Sequence, residues 1–273
     1  MTIIRRFVYR PLALAILIAL SSVPVFGQQE ADSTRVVRVL SYNIMHGATM
    51  ISDFNLQRIA DVIKGIEPDI VALQEVDFNT NRVGGRDLAT ELGYLTGLAP
   101  LFGRAMPYSG GEYGAGILSR FSFKSTRANS LPYSPGNEPR TALEVLVELP
   151  SGEDFIFIGT HFDHTRDQTD RIVQAKRINE LFAANTTPTI LAGDLNATPD
   201  SDPISTLTQH WTDASTNKPD PTFPSSDPAR RIDYIMFLPA HRWRVLETRV
   251  IADKTASDHC ALLAVLELLP DSR

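Results

Sequence analysis

Asn43, Glu75, Arg140, the pair His161 and Asp163, the pair Asp194 and Asn196, Asp233, and the pair Asp258-His259 form seven short polar islands, each at the edge of an apolar run. An aliphatic, β-branched run that stops at one carboxylate, carboxamide, imidazole or guanidinium reads as a buried strand with a reactive group at its rim. Layered α/β proteins collect their chemistry at such rims. Scattered from residue 43 to residue 259, the islands make sense only if the fold gathers them into one place. There they can hold a divalent cation, an attacking water and a phosphate.

The intervening sequence supplies the scaffold. Val36–Ile44 is β-branched and apolar, and Phe54–Ile66 places Leu56, Ile59, Ala60, Ile63 and Ile66 at helical spacing. Asp69–Glu75 is a second buried strand with its charge at the far end, so strand, helix and strand form one βαβ unit with both polar ends on the same rim. A helix is expected over Asp87–Thr96. The glycines of Gly110–Gly116 allow a tight turn or close backbone approach, and with no Lys-Ser/Thr after them they do not form a nucleotide P-loop. Ala142–Leu149 and Phe155–Gly159 flank Ser151-Gly152 as a hairpin that delivers His161. Asp170–Ala184 is amphipathic, Pro188–Ala192 leads to Asp194, and Arg231–Leu238 and Ala261–Leu268 supply the last strands. Hairpins and βαβ units mixed with helices predict an α/β (α+β) chain with a large mixed sheet system covered by helices.

Arg5, Arg6 and Arg10 precede an apolar stretch from Leu12 to Leu20, followed by Pro24 and the small-residue exit at Gly27. That is the pattern of an export signal over residues 1–27. The stretch is far shorter than the roughly 20 residues a membrane span needs. The expectation is therefore a periplasmic or extracellular protein without a stable membrane anchor after cleavage, with a short linker over 28–35 and one domain over 36–270. Losing the three arginines takes the formal net charge from −6 to −9, which makes the chain a poor non-specific binder of nucleic acid. Cys260 is the single cysteine and lies in an apolar run, so it is expected to be buried and inert. No repeat or charge block divides the chain, and a monomer is expected.

Asn43 and Glu75, at the ends of neighbouring parallel strands, can converge on one hard cation through oxygen. Mg²⁺ suits one or two carboxylates completed by water and substrate phosphate. Asp194 and Asn196 alternate across Leu195 and share a side of an extended segment, where a carboxylate can take a proton from water while a carboxamide orients it. Asp233 is a natural partner to fix the tautomer of His259, and His161 is a second imidazole reached from another strand. Arg140 can grip a phosphate bidentately and, with Asp163, completes the candidate substrate-binding groups. These are the parts phosphoester cleavage needs: a base, a cation and a donor for the leaving oxygen. Trp211, Phe223 and Trp243 are expected to pack in the core.

Taken in order, Ser41-Tyr42-Asn43, Leu73-Gln74-Glu75, Gly116-Ile117-Leu118-Ser119, Thr160-His161-Phe162-Asp163, Gly193-Asp194-Leu195-Asn196, Arg231-Ile232-Asp233-Tyr234 and Ser257-Asp258-His259 resemble the endonuclease/exonuclease/phosphatase superfamily. The likeness runs from about Val36 to Leu268. It implies a deoxyribonuclease I-like four-layer sandwich, two mixed sheets packed face to face with helices outside. It also implies Mg²⁺-dependent hydrolysis of a phosphoester, with Mn²⁺ or Ca²⁺ as substitutes. By resemblance Glu75 is the main metal ligand, with Asn43 and Asp258 beside the metal. Asp194 and Asn196 position water and phosphate, Asp233 orients His259, and His161 and Arg140 hold phosphoryl oxygens. Met45 departs from the pattern, since nucleases of the abasic-site repair type carry an acid there. The aromatic-cysteine-aspartate-arginine signature of inositol polyphosphate 5-phosphatases is also replaced by the shorter Arg231-Ile-Asp-Tyr.

The substrate expected first is a phosphodiester, either nucleic acid or a phospholipid headgroup, with a phosphomonoester behind. Two other readings compete. Thr160-His161-Phe162-Asp163-His164 looks like a fragment of a metallo-β-lactamase-like zinc motif, but that reading leaves Asn43, Glu75 and Asp258-His259 unexplained. A binding module that has lost catalysis is the alternative of another class, and the retention of every acid and base argues against it.

Overall fold

A computed structural model describes residues 32–217 and 219–271. The expected export segment and the first half of the linker, 28–31, lie outside the described residues. In chain order the elements are β1 Val36–Asn43, α1 Leu56–Ile66, β2 Ile70–Phe78, α2 Leu88–Thr96, β3 Ala99–Tyr108, β4 Gly111–Ser119, β5 Ser125–Leu131, β6 Arg140–Glu148, β7 Asp154–His161, α3 Thr169–Phe182, β8 Thr189–Asp194, α4 Asp202–Leu207, β9 Thr212–Asp213, β10 Asp233–Leu238, β11 Trp243–Ile251 and β12 Ala261–Leu268. No helix among them is long and apolar enough to cross a membrane.

The strands form two six-stranded sheets, ordered β11-β12-β1-β2-β4-β3 and β5-β6-β7-β8-β10-β9. Each sheet carries one parallel pair at its centre, β1 with β2 and β7 with β8, and antiparallel pairs everywhere else. The two sheets therefore share one wiring pattern. A parallel pair ends both its strands on the same edge, so Asn43 and Glu75 come from one sheet, and His161 and Asp194, directly paired in register, come from the other.

The side-chain period of 2 sorts each strand between layers. Val37 and Val39 of β1 and Leu262, Ala264 and Leu266 of β12 face the other sheet, where Val145, Phe155, Phe157, Ile190 and Phe237 meet them in a central core. The alternate residues Leu40, Tyr42, Leu263 and Val265 face outward under α1 and α2. On the far side Ile158, Leu191, Tyr234 and Met236 are covered by Ala175, Ile178 and Phe182 of α3 and Ile204 and Leu207 of α4. The result is the expected four-layer sandwich. Fully burying one such aliphatic or aromatic side chain is worth roughly 1.5–3 kcal/mol, and these three clusters hold the rims rigid.

Several boundaries differ from the sequence expectation for identifiable reasons. β2 does not stop at Glu75 but continues to Phe78, because a bulge against β4 between Leu73 and Val76 absorbs the interruption. Glu75 itself takes a left-handed φ of 58° at that bulge. β3 and β5 carry weak sequence signals, being half-exposed edge strands. Close approach does explain the glycine-rich segment: a Cβ on Gly114 would sit 2.0 Å from the Gly103 carbonyl oxygen.

Candidate active site

The strand ends meet in a cleft of about 360 Å³ lined by Glu75, Arg140, His161, Asp194, Asn196, Asp258 and His259. Asn43 joins the two sheets: its Nδ2 lies 3.3 Å from Glu75 Oε1 and 3.3 Å from Asp194 Oδ2. Asp194 is the hub. Its Oδ1 accepts from the Asn196 backbone N–H at 2.9 Å, while Oδ2 lies 3.5 Å from His161 Nε2 and 3.6 Å from His259 Nε2. Residues from 43 to 259 are thus connected through shared atoms, as the sequence pattern requires.

Asn196 has a left-handed φ of 48°, and this turn puts its carboxamide nitrogen 3.0 Å from His161 Nε2 and within 3.2 Å of the Phe162 carbonyl. Arg140 is buried and offers Nη1 to His161 Nδ1 at 3.2 Å and Nη2 to His164 Nδ1 at 3.0 Å. A guanidinium only donates, so His161 Nδ1 accepts and its proton resides on Nε2, which faces Asp194 Oδ2; the Asn196 carboxamide then donates to the Phe162 carbonyl and not to His161. Burial, with the charges of Arg140 and His259, holds the His161 imidazole well below its ordinary value and keeps it neutral.

His259 is the opposite case. Its Nδ1 donates to Asp233 Oδ2 at 3.0 Å, and the other carboxyl oxygen of buried Asp233 has no partner. Burial disfavours the imidazolium, but Asp233 and Asp194 overcome it and push the group up to about 10. Burial also pushes the Asp194 carboxyl up to about 7, against the pull of His259 and with help from Asp233. Two adjacent groups are therefore poised as a carboxylate that can accept a proton near neutrality and a cation that can donate one. Because the His259 value is raised in the folded state, its stabilisation is complete below pH 6.5 and is lost as the pH climbs towards 10. Urea denaturation in chelator should show falling stability over that window, and Asp233→Asn should flatten the slope. A wild-type profile that is level from neutral to alkaline pH contradicts this assignment.

Burial works against the Glu75 charge, yet hydrogen bonds from His46 and Asn43 hold its carboxyl below the ordinary value. Burial and the nearby Glu75 charge push the Asp258 carboxyl up, against the pull of His259. Two carboxylates that face one cleft and repel, with a carboxamide beside them, are a donor set that a hard divalent cation satisfies. Glu75 and Asp258 therefore fit the cation, and Asn43 stands beside them with its nitrogen on Glu75 Oε1 and its Oδ1 accepting from the Met45 N–H at 3.0 Å. Asp194, Asp233 and His259 also bring ligand atoms within 4.8 Å of one another. There His259 already bonds Asp233, so the Glu75 and Asp258 side is the one left for an ion.

Asp163 is not brought to the cleft. It is wholly buried; Oδ2 accepts from the Thr165 N–H at 2.9 Å and from the Thr165 hydroxyl, and its own N–H donates to Gln174 Oε1 at 2.9 Å. It shapes the turn into α3 and does not touch substrate space. Phe223 corrects the expectation in the other direction: half-buried, it lines the cleft and packs its ring 4.8 Å from that of His259. Trp211 and Trp243 are core residues, as expected, and buried Cys260 has its thiol pushed up to about 11 by burial. Sequence reasoning missed Tyr113, whose hydroxyl lies 3.4 Å from Arg140 Nη1, and Glu138, 2.9 Å from Nη2. It also missed His46, whose Nδ1 is 3.3 Å from Glu75 Oε2. His46 lies three residues beyond the asparagine that ends β1, which was the one available signal.

The model of the Endonuclease/Exonuclease/phosphatase family matches residues 40–259. Among solved structures, an endonuclease/exonuclease/phosphatase from Beutenbergia cavernae is 25% identical with a TM-score of 0.73, over 86% of this chain and 72% of that one. Another from Bacteroides vulgatus is 24% identical with a TM-score of 0.70, over 85% of this chain and 99% of that one. Protein cwh43 of Schizosaccharomyces pombe is 25% identical over 152 residues, 56% of this chain but only 15% of that protein's length.

Proposed function

Because the chain belongs to the endonuclease/exonuclease/phosphatase family, whose members hydrolyse phosphoester bonds, we propose that it is an exported, Mg²⁺-dependent phosphodiesterase acting as a monomer. One observation carries the choice of a diester. Contacts run in a row from Tyr113 to Arg140, His161, Asp194 and His259, and on to Phe223, with an aromatic ring at each end. A phosphomonoester has one organic arm to place, whereas a diester has two, and an apolar platform at both ends of the phosphoryl-binding row suits two.

In this reading Asp194, with its raised value and Asn196 beside it, receives the proton of the attacking water. His259, held in one tautomer by Asp233, donates from Nε2 to the phosphoryl group or to the departing oxygen. Arg140 and neutral His161 grip the remaining oxygens. A cation held by Glu75 and Asp258, with Asn43 orienting Glu75, would supply neutralisation of the charge that builds on phosphorus-bound oxygen. Export is supported by the arginine-led apolar segment before Gly27 and is checked by the N-terminal residue of the protein recovered outside the cytoplasm.

The test is turnover with Mg²⁺ of bis-p-nitrophenyl phosphate against p-nitrophenyl phosphate, followed by plasmid DNA and sphingomyelin to separate the two diester classes. The diester should be favoured in kcat/KM by at least about tenfold, a difference of ~1.4 kcal/mol in transition-state binding. Phe223→Ala should raise KM for the diester more than for the monoester. Preference for the monoester would reverse the assignment to phosphomonoesterase, and activity with zinc but not Mg²⁺ would revive the zinc-hydrolase reading.

A further inference from the structure

Met45, His46 and Gly47 are three consecutive residues in the left-handed region, with φ of 46°, 46° and 84°. Glycine adopts this region freely, but a methionine and a histidine do so only where the surroundings enforce it, and such backbone strain concentrates at functional sites. The turn is closed by Gly47 N–H to the Ile44 carbonyl and Ala48 N–H to the Met45 carbonyl, each at 2.9 Å, and by Met45 N–H to Asn43 Oδ1 at 3.0 Å. Its product is the placement of His46 Nδ1 3.3 Å from Glu75 Oε2. Asn43 Nδ2 takes the other oxygen, Oε1, at the same distance. Both His46 and Glu75 are only about a quarter exposed, 27% and 28%, so the pair is partly walled by protein and still reached by solvent.

We propose that His46 is a nitrogen ligand to the cation at Glu75, so that the site, while taking Mg²⁺, binds a first-row transition ion such as Co²⁺ more tightly. The assignment rests on the reading of Glu75 as a cation ligand given above. Adjacent ligands on an octahedral ion at about 2.1 Å lie about 3 Å apart, close to the separation between His46 Nδ1 and Glu75 Oε2. Carboxylate, carbonyl and water ligands suit Mg²⁺, whereas an imidazole nitrogen adds affinity for transition ions and little for Mg²⁺. The alternative is that His46 only donates a hydrogen bond that fixes the Glu75 carboxylate, and that role would strengthen the binding of both kinds of ion alike.

Isothermal titration of the intact protein with Co²⁺ and separately with Mg²⁺ distinguishes these roles in wild type, His46→Ala, His46→Asn and Glu75→Gln. Both His46 variants should weaken Co²⁺ by about tenfold or more while changing Mg²⁺ by less than about threefold. The proton NMR spectrum of the Co²⁺-loaded wild type should contain a hyperfine-shifted imidazole N–H resonance that both variants lack. Asparagine tolerates left-handed backbone, so His46→Asn keeps the test intact if the alanine variant does not fold. Equal losses for the two ions, with the shifted resonance retained, would overturn the proposal and leave His46 as a positioning residue for Glu75. Undiminished binding of both ions by Glu75→Gln, or no binding by wild type, would instead sink the cation reading on which it rests.

Discussion

Replacing Asp194 by asparagine should lower kcat by about 10²–10⁴-fold, the usual worth of a general acid/base group, while abolishing the pH-dependent loss of stability that ionisation of this carboxyl causes. The two halves of this expectation come from the same contacts. Asp194 Oδ2 is shared by Asn43, His161 and His259, and an asparagine of the same shape preserves packing but cannot take a proton. Its carboxyl is pushed up to about 7 by burial, so the ionised form destabilises the folded state relative to the unfolded one. The penalty begins as the pH rises above 3.8 and is complete above about 7. Removing the charge therefore removes this pH-dependent penalty, while the amide NH2 must face one of the N–H donors that Asp194 accepts from and His259 loses a countercharge. Stopped-flow turnover and thermal unfolding on the same samples check both halves. A kcat within tenfold of wild type across the pH range would remove Asp194 from the reaction. His259→Ala should cost about as much, and the double variant little more than either single one, because the two groups act as a unit.

The second large effect is expected at Glu75. Glu75→Gln should reduce turnover by about 10³-fold, which corresponds to the several kcal/mol of charge stabilisation a bound cation provides. Excess chelator should produce the same loss in wild type, and added Mg²⁺ should restore wild type but not the variant. Glutamine keeps the length and one carbonyl oxygen, so Asn43 Nδ2 retains its acceptor and the bulge in β2 can persist. A variant whose kcat at saturating Mg²⁺ falls less than tenfold would show that the cation, if it acts, is held elsewhere. Asp194, Asp233 and His259 would then be the group to examine.

Where the sequence was informative, it was because a strand end leaves little choice. Asn43, His161 and Asp194 each close a run of buried residues, and their strands pair so as to end on the same edge. Asp163 shows where that logic stops. Spaced two residues after His161, it would share its face only if the strand continued, but β7 ends at His161 and Thr165 folds the chain onto the Asp163 carboxylate. Arg140 could not be told from a surface arginine by composition. What holds it is the convergence of Tyr113 from β4 and of His161 and His164 from the end of β7. His46 and Phe223 were illegible for a related reason. Their placement depends on a left-handed turn and on a loop between two strands, and neither leaves a periodic trace.

The two sheets carry matching parallel pairs, and the bond from Asn43 to Asp194 at 3.3 Å spans from one to the other. Sliding or breathing of the sandwich would leave distances within each pair untouched while changing this bridge and those from His259 to Asp194 and Asp233 and from Arg140 to Tyr113. The cation-holding half and the water-activating half are thus separate rigid plates whose alignment is governed by the hydrophobic layer between them. A poorly filled interior, many ångströms from any reacting atom, would be felt first as a loss of catalytic registration rather than of fold.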